Sequence, residues 1–151
     1  MNIYLVIEGS LVRTKSGQRV PQGIIDLAID TSWIQWIQDI KPEAIILMSN
    51  PTWIYSGKGI RTGERFWAKF KYISEVLREE LERVGQIPAI YEIFSKKKKW
   101  IYGISDDGPS LVEEIWREHP ELKGKDSIFV GGPDSVGYAK SMGFTKIEVS
   151  T

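Results

Sequence analysis

A chain of 151 residues, 42% apolar and 26% charged, has the size and composition of one globular domain with a sizeable core, spanning residues 1–151. Lys plus Arg equals Asp plus Glu at 20 each, so bulk charge steers no nucleic acid and any basic site must be local. The absence of cysteine excludes disulfides, thiolate zinc sites and cysteine nucleophiles together.

In chain order, residues 3–7 are a continuous apolar run, expected as a strand buried on both faces. The polar stretch 8–23 carries Gly9, Gly17 and Pro21 as breakers and reads as a long loop. Asp30 or Thr31 caps a predicted helix running to Ile40, with Trp33, Ile34 and Ile37 on one face, and Pro42 stops it. A second buried strand covers 44–48 and ends at Ser49-Asn50-Pro51, followed by the Gly-rich segment 56–59. The longest predicted helix covers 63–84, where Phe66, Phe70, Ile73, Leu77, Leu81 and Val84 recur at steps of three and four. A third strand is expected at 88–94, before the basic run 96–99. Pro109 suits the first residue of a helix reaching about His119, whose side chain is expected at the last carbonyls. The fourth strand, 127–130, leads into Gly131-Gly132-Pro133-Asp134 and a short helix to Met142, with Gly143 as its stop. The fifth strand covers 146–149.

Strands alternating with helices imply right-handed crossovers. The expected fold is therefore a three-layer, Rossmann-like α/β fold: a mainly parallel sheet of about five strands with helices on both faces. No apolar run nears the roughly 20 residues that a membrane-spanning helix needs. The first residues read into a strand rather than a leader peptide. A cytoplasmic protein with no membrane partner is the expectation.

Three polar turns follow three buried strands: Glu8-Gly9-Ser10, Ser49-Asn50 and Gly131-Gly132-Pro133-Asp134. In a parallel sheet such turns converge on one crevice, where small residues let backbone N–H groups approach an anion. Phosphate-binding candidates are therefore Gly9, Ser10, Ser49 and Asn50. The flanking loops carry Arg13, Lys15, Arg19, Lys58 and Arg61, and Arg13, Lys15 and Lys58 form a candidate basic rim.

The order of these elements resembles the haloacid dehalogenase-like hydrolase superfamily, closest to the 3′-phosphatase domain of polynucleotide kinase phosphatases. That family's first motif, Asp-x-Asp-Gly-Thr-Leu, resembles Val6-Ile7-Glu8-Gly9-Ser10-Leu11. Thr14-Lys15-Ser16-Gly17 with Pro21, then Ser49-Asn50 with Gly57-Lys58, Ile87-Pro88, and Asp126 through Gly131 are similar to later family signatures in the same order. The resemblance implies a magnesium-dependent phosphatase frame. It also exposes departures. The position of the nucleophilic, magnesium-binding Asp is Val6, which can neither attack phosphorus nor hold a hard cation. The general acid/base position is Glu8, one methylene longer than Asp. Gly132 occupies the place of a metal-aiding Asp, with Asp134 two residues on, and no Lys-Pro pair lies in 102–108.

Several residues keep two readings. Glu8 is a retained general acid or a solvated loop carboxylate. Asp134 is a displaced metal ligand or, more commonly for such a residue, a helix cap. Ser49 and Asn50 bind an anion or cap a turn. Residues 96–99 are a phosphate-backbone contact or a solvated loop, and Trp53, Tyr55 and Trp100 stack on bases or cover the core.

The leading expectation is a catalytically degenerate phosphatase-fold protein that binds a phosphorylated ligand or partner in a regulatory role, with no cofactor. The alternative is an active phosphohydrolase acting on a 3′-phosphorylated nucleic-acid end, with Glu8 as the main carboxylate, Asp106, Asp107 or Asp134 assisting, and Mg as cofactor. A third reading is a protein–protein interaction module with the pocket idle.

Overall fold

The computed structural model describes residues 1–17, 27–49, 60–94 and 110–150. The stretch 2–6 forms strand β1 (Asn2–Val6), buried along its whole length. After it come the short strands β2 (Val12–Thr14) and β3 (Leu27–Ile29), then helix α1 (Thr31–Ile40) and strand β4 (Ala44–Ser49). Helix α2 (Ile60–Arg83) leads to strand β5 (Ala89–Phe94). Helix α3 (Leu111–Glu118), strand β6 (Ser127–Gly131), helix α4 (Val136–Ser141) and strand β7 (Ile147–Val149) complete the order.

Five of these strands make one parallel sheet in the order β5-β4-β1-β6-β7. β1 lies at its centre, with Asn2 opposite both Ala44 and Ser127. Parallel neighbours need crossovers, and the helices supply them on opposite faces. Ile3, Leu5 and Ile7 point to one core with Ile34 and Ile37 of α1 and Phe70, Ile73, Leu77 and Leu81 of α2. Tyr4 and Val6 point to the other, with Leu111, Val112 and Ile115 of α3 and Tyr138 and Ala139 of α4. The result is the expected three-layer, Rossmann-like α/β fold. Burying an apolar side chain of this size contributes about 1.5–3 kcal/mol, so β1 anchors both cores at once.

The helices are cut as their residues dictate. Asp30 caps α1, its carboxylate accepting from the Ser32 amide at 3.0 Å. The Gln38 side-chain amide donates to Glu80 O at 3.0 Å, and that of Gln86 donates to Gln38 O at 2.8 Å, which lashes α1 to α2. The stripe on α2 ends sooner than its spacing predicts. The helix stops at Arg83, Gly85 turns the chain at φ 79°, and Val84 is exposed. Phe66 falls where side chains are not described.

α3 corrects a start expected at Pro109, which lies outside the described residues. Ser110 is the cap: its hydroxyl accepts from the Glu113 amide and donates to the Glu113 carboxylate at 3.0 Å. Tyr138 donates to the same hydroxyl at 2.6 Å, tying α4 to the start of α3. Burial pushes the Tyr138 phenol up despite its hydrogen bonds with the Ser110 hydroxyl and the Val112 amide, which act the other way. On the same face the Trp116 indole donates to the Tyr4 hydroxyl at 2.8 Å, and Phe144 packs edge-on to Tyr4. His119 does not reach the helix carbonyls with its ring. It packs against Tyr91 and lies 3.5 Å from Glu121, while its backbone amide closes the helix on Ile115.

The segment between β1 and α1 holds an antiparallel pair that its composition did not announce. β2 and β3 join Val12 to Ile29 and Arg13 to Ala28. Arg19 and Pro21 lie outside the described residues. Among the described residues, no helix is long and apolar enough to cross a membrane.

Candidate functional site

The connections from β1 through α1 and α2 run on one face, and those through α3 and α4 on the other. Successive strands are added toward one edge from β1 through β4 to β5 and toward the other from β6 to β7, so the winding reverses between β1 and β6. Such a switch point opens a crevice beyond the carboxyl ends of the strands. The turns at 7–12 and 131–135 flank it.

The turn after β1 is closed by its own backbone. Gly9 N–H donates to Val12 O at 2.8 Å, Ser10 N–H to Ile7 O at 3.2 Å, and Val12 N–H to Ile7 O at 2.9 Å. Gly9 takes φ 84°, a left-handed conformation that favours glycine. The Ser10 hydroxyl is buried and donates to Val6 O at 2.6 Å. Gly9 and Ser10 therefore give the turn its shape, and their donors are engaged within it.

Glu8 and Ser49 meet as the convergence of turns predicts. The Ser49 hydroxyl, at the end of β4, donates to Glu8 Oε1 at 2.6 Å, and both residues are buried. A hydrogen bond to a carboxylate contributes about 1.5–3 kcal/mol, more than a neutral one. Ser49→Ala is accordingly expected to lower stability by about 1–3 kcal/mol, read as a shift in the urea midpoint at constant m-value. Ser49→Thr, which keeps the hydroxyl, should recover most of that loss.

Val6, two residues before Glu8, is 2% exposed and packs in the core with Tyr4, Met48 and Phe129. Arg13 Nε donates to Asp30 Oδ2 at 2.7 Å. Partial burial raises the Asp30 pKa, but hydrogen bonds from Ser32 and Arg13 and the guanidinium charge outweigh it and hold the group below the ordinary Asp range. Lys15 is exposed. Asn50, Lys58, Trp53, Tyr55, Trp100, Asp106, Asp107 and residues 96–99 lie outside the described residues, as does the side chain of Arg61.

The turn after β6 is tight. Gly132 accepts from the Ser135 amide at 3.0 Å and from the Ser135 hydroxyl at 2.6 Å. Asp134 corrects one expectation: it is exposed, and no side-chain bond caps the helical turn Pro133–Ser135 in which it sits, or α4. Among the described residues, no group of three Asp, Glu, His or Cys side chains is placed to hold a metal ion.

Two residues without a motif of their own, Ser135 and Ser150, belong to this end of the sheet. Ser135 is fully buried under Gly131, and Ser150 donates its amide to Gly131 O at 2.8 Å. Their only signal was position, directly after a glycine turn and after the last strand. No protein-family model and no curated protein sequence matches this chain.

Proposed function

We propose that this chain is a catalytically degenerate relative of the haloacid dehalogenase-like phosphatases, closest to the polynucleotide 3′-phosphatase type. In this reading it binds an anionic, phosphorylated ligand at the β1–β6 crevice as a regulatory module and does not turn it over. The observation that carries the reading is the pairing of Val6 with Glu8. The position that the resemblance assigns to the attacking carboxylate holds an apolar side chain sealed in the core. The remaining carboxylate, Glu8, is fastened to the Ser49 hydroxyl. A phosphoryl acceptor needs a nucleophile and a nearby acid. Here one is missing and the other is held in a buried hydrogen bond.

The test is a phosphatase assay with magnesium on small aryl phosphates and 3′-phosphorylated oligonucleotides. No turnover above buffer is expected for the wild type. Magnesium-dependent turnover that disappears in Glu8→Gln would overturn the proposal and favour an active phosphohydrolase. Binding is read separately, by titrating inorganic phosphate into the 15N-labelled protein. The amide signals of Gly9, Ser49 and Gly132 are expected to move together.

A further inference from the structure

We infer that Arg13 is the residue that grips the ligand's oxyanion, through its two terminal nitrogens, and that Asp30 is the positioning residue that holds it there. The inference rests on the anion-binding reading of the crevice and names its recognition element. A ligand with two oxygens on one centre, phosphate or carboxylate, matches such a fork.

The turn itself leaves a ligand few donors. The amides of Gly9, Ser10 and Val12 are engaged within it, the Ser10 hydroxyl serves Val6 O, and the Ser49 hydroxyl serves Glu8. Arg13 stands one residue beyond Val12, whose backbone bridges to Glu8.

Its attachment is one-sided. Only Nε is hydrogen-bonded to Asp30, at 2.7 Å, so the contact occupies one of five guanidinium donors and does not use the outer edge, where one N–H from each terminal nitrogen forms the end-on fork. Arg13 is 39% exposed in its side chain, within reach of a solute. Asp30 is fixed on three sides. Its amide donates to Leu11 O at 2.8 Å, its Oδ1 takes the Ser32 amide that starts α1, and its Oδ2 takes Arg13. The turn, the hairpin and the helix thus share one anchor. A half-exposed ion pair adds little to stability, so its consequence lies in fixing a planar cation beside the crevice.

The experiment titrates inorganic phosphate into wild-type protein while following the Arg13 side-chain Nε and Nη signals beside the backbone amides. In the wild type both sets are expected to move with one affinity. Arg13→Gln should weaken binding about tenfold or more, and Arg13→Lys, which keeps charge without the fork, should recover only part of it. Asp30→Asn keeps a helix cap of equal quality, so the melting temperature should hold while phosphate affinity falls. Should Arg13→Gln bind phosphate like the wild type, with the same amides moving, the inference fails and the crevice reading stands. If phosphate moves no signal at all, the anion-binding reading fails and the inference with it.

Discussion

Val6→Asp, the change that restores the carboxylate of the resembled motif, is expected to destabilise the protein by about 3–5 kcal/mol rather than to create an enzyme. Val6 is 2% exposed, and its face of β1 is shared with Tyr4, Met48, Ile93 and Phe129. An ionised carboxylate there has lost its water and gained no partner. The loss is comparable to the whole stability of a marginal domain, about 5–15 kcal/mol. The pH dependence follows from desolvation, which raises the pKa of the buried acid. The unfolded chain then ionises first, near pH 4, so the penalty is smallest in acid and grows as pH rises toward the folded-state value.

Urea melts of Val6→Asp and Val6→Thr at acidic and neutral pH measure this directly. Thr, of the same shape with one hydroxyl, should cost about 1–3 kcal/mol with no such pH dependence. Adding Gly132→Asp changes the outcome little. Gly132 has φ −68°, and a Cβ there meets only the exposed Asp134 carboxylate at 3.0 Å. Wild-type stability in the double variant together with magnesium-dependent turnover would show that position 6 can face the crevice, contrary to its packing.

The second large effect is expected at Gly131. A Cβ there would overlap the Ser135 hydroxyl and stand 2.9 Å from the ring of Phe129. Neither neighbour has room to retreat, since both are fully buried. The Ser135 hydroxyl is also bonded to Gly132 O, and Gly131 O takes the amide of Ser150. Overpacking of this kind costs about 1–3 kcal/mol, and Gly131→Ala should fall at the upper end. Gly131→Val should exceed it. Ser135→Ala removes the worst overlap, so the pair should couple favourably by about 1 kcal/mol in a double-mutant cycle. A stability of Gly131→Ala equal to wild type would mean that the β6 turn is looser than its geometry.

The strands were legible because a parallel sheet buries both faces, which leaves runs such as Ile3 to Ile7 and Ile45 to Met48 without polar interruption. The hairpin was not. Val12-Arg13-Thr14 and Leu27-Ala28-Ile29 are three residues each, too short for a periodic signal, and they sit in a stretch rich in turn formers. The start of α3 is ambiguous in the sequence, because Pro109 suits a first helical position as well as Ser110 suits the cap that it forms. Within the site, the convergence of Glu8 and Ser49 followed from strand ends sharing one edge of the sheet. That Val6 faces the α3–α4 side was implicit in strand alternation, since Tyr4 and Val6 share parity. The Arg13–Asp30 contact had no such signal. It spans 17 positions, and Asp30 already had a sufficient local explanation as a helix cap.

The central place of β1 has a consequence for the order of assembly. Asn2 pairs with Ala44 on one side and with Ser127 on the other. One flank can close once β4 is available, about 42 positions on, but the second waits for β6, about 125 positions on. Tyr4 and Val6 must meanwhile leave their apolar face open to solvent until α3, β6 and α4 arrive. Pairings so distant in sequence are slow to form and leave sticky intermediates in the interval. β1 precedes both of its sheet neighbours in the sequence and is thus among the last strands to be enclosed, and the turn it carries takes its final surroundings only when the rest of the sheet has been made.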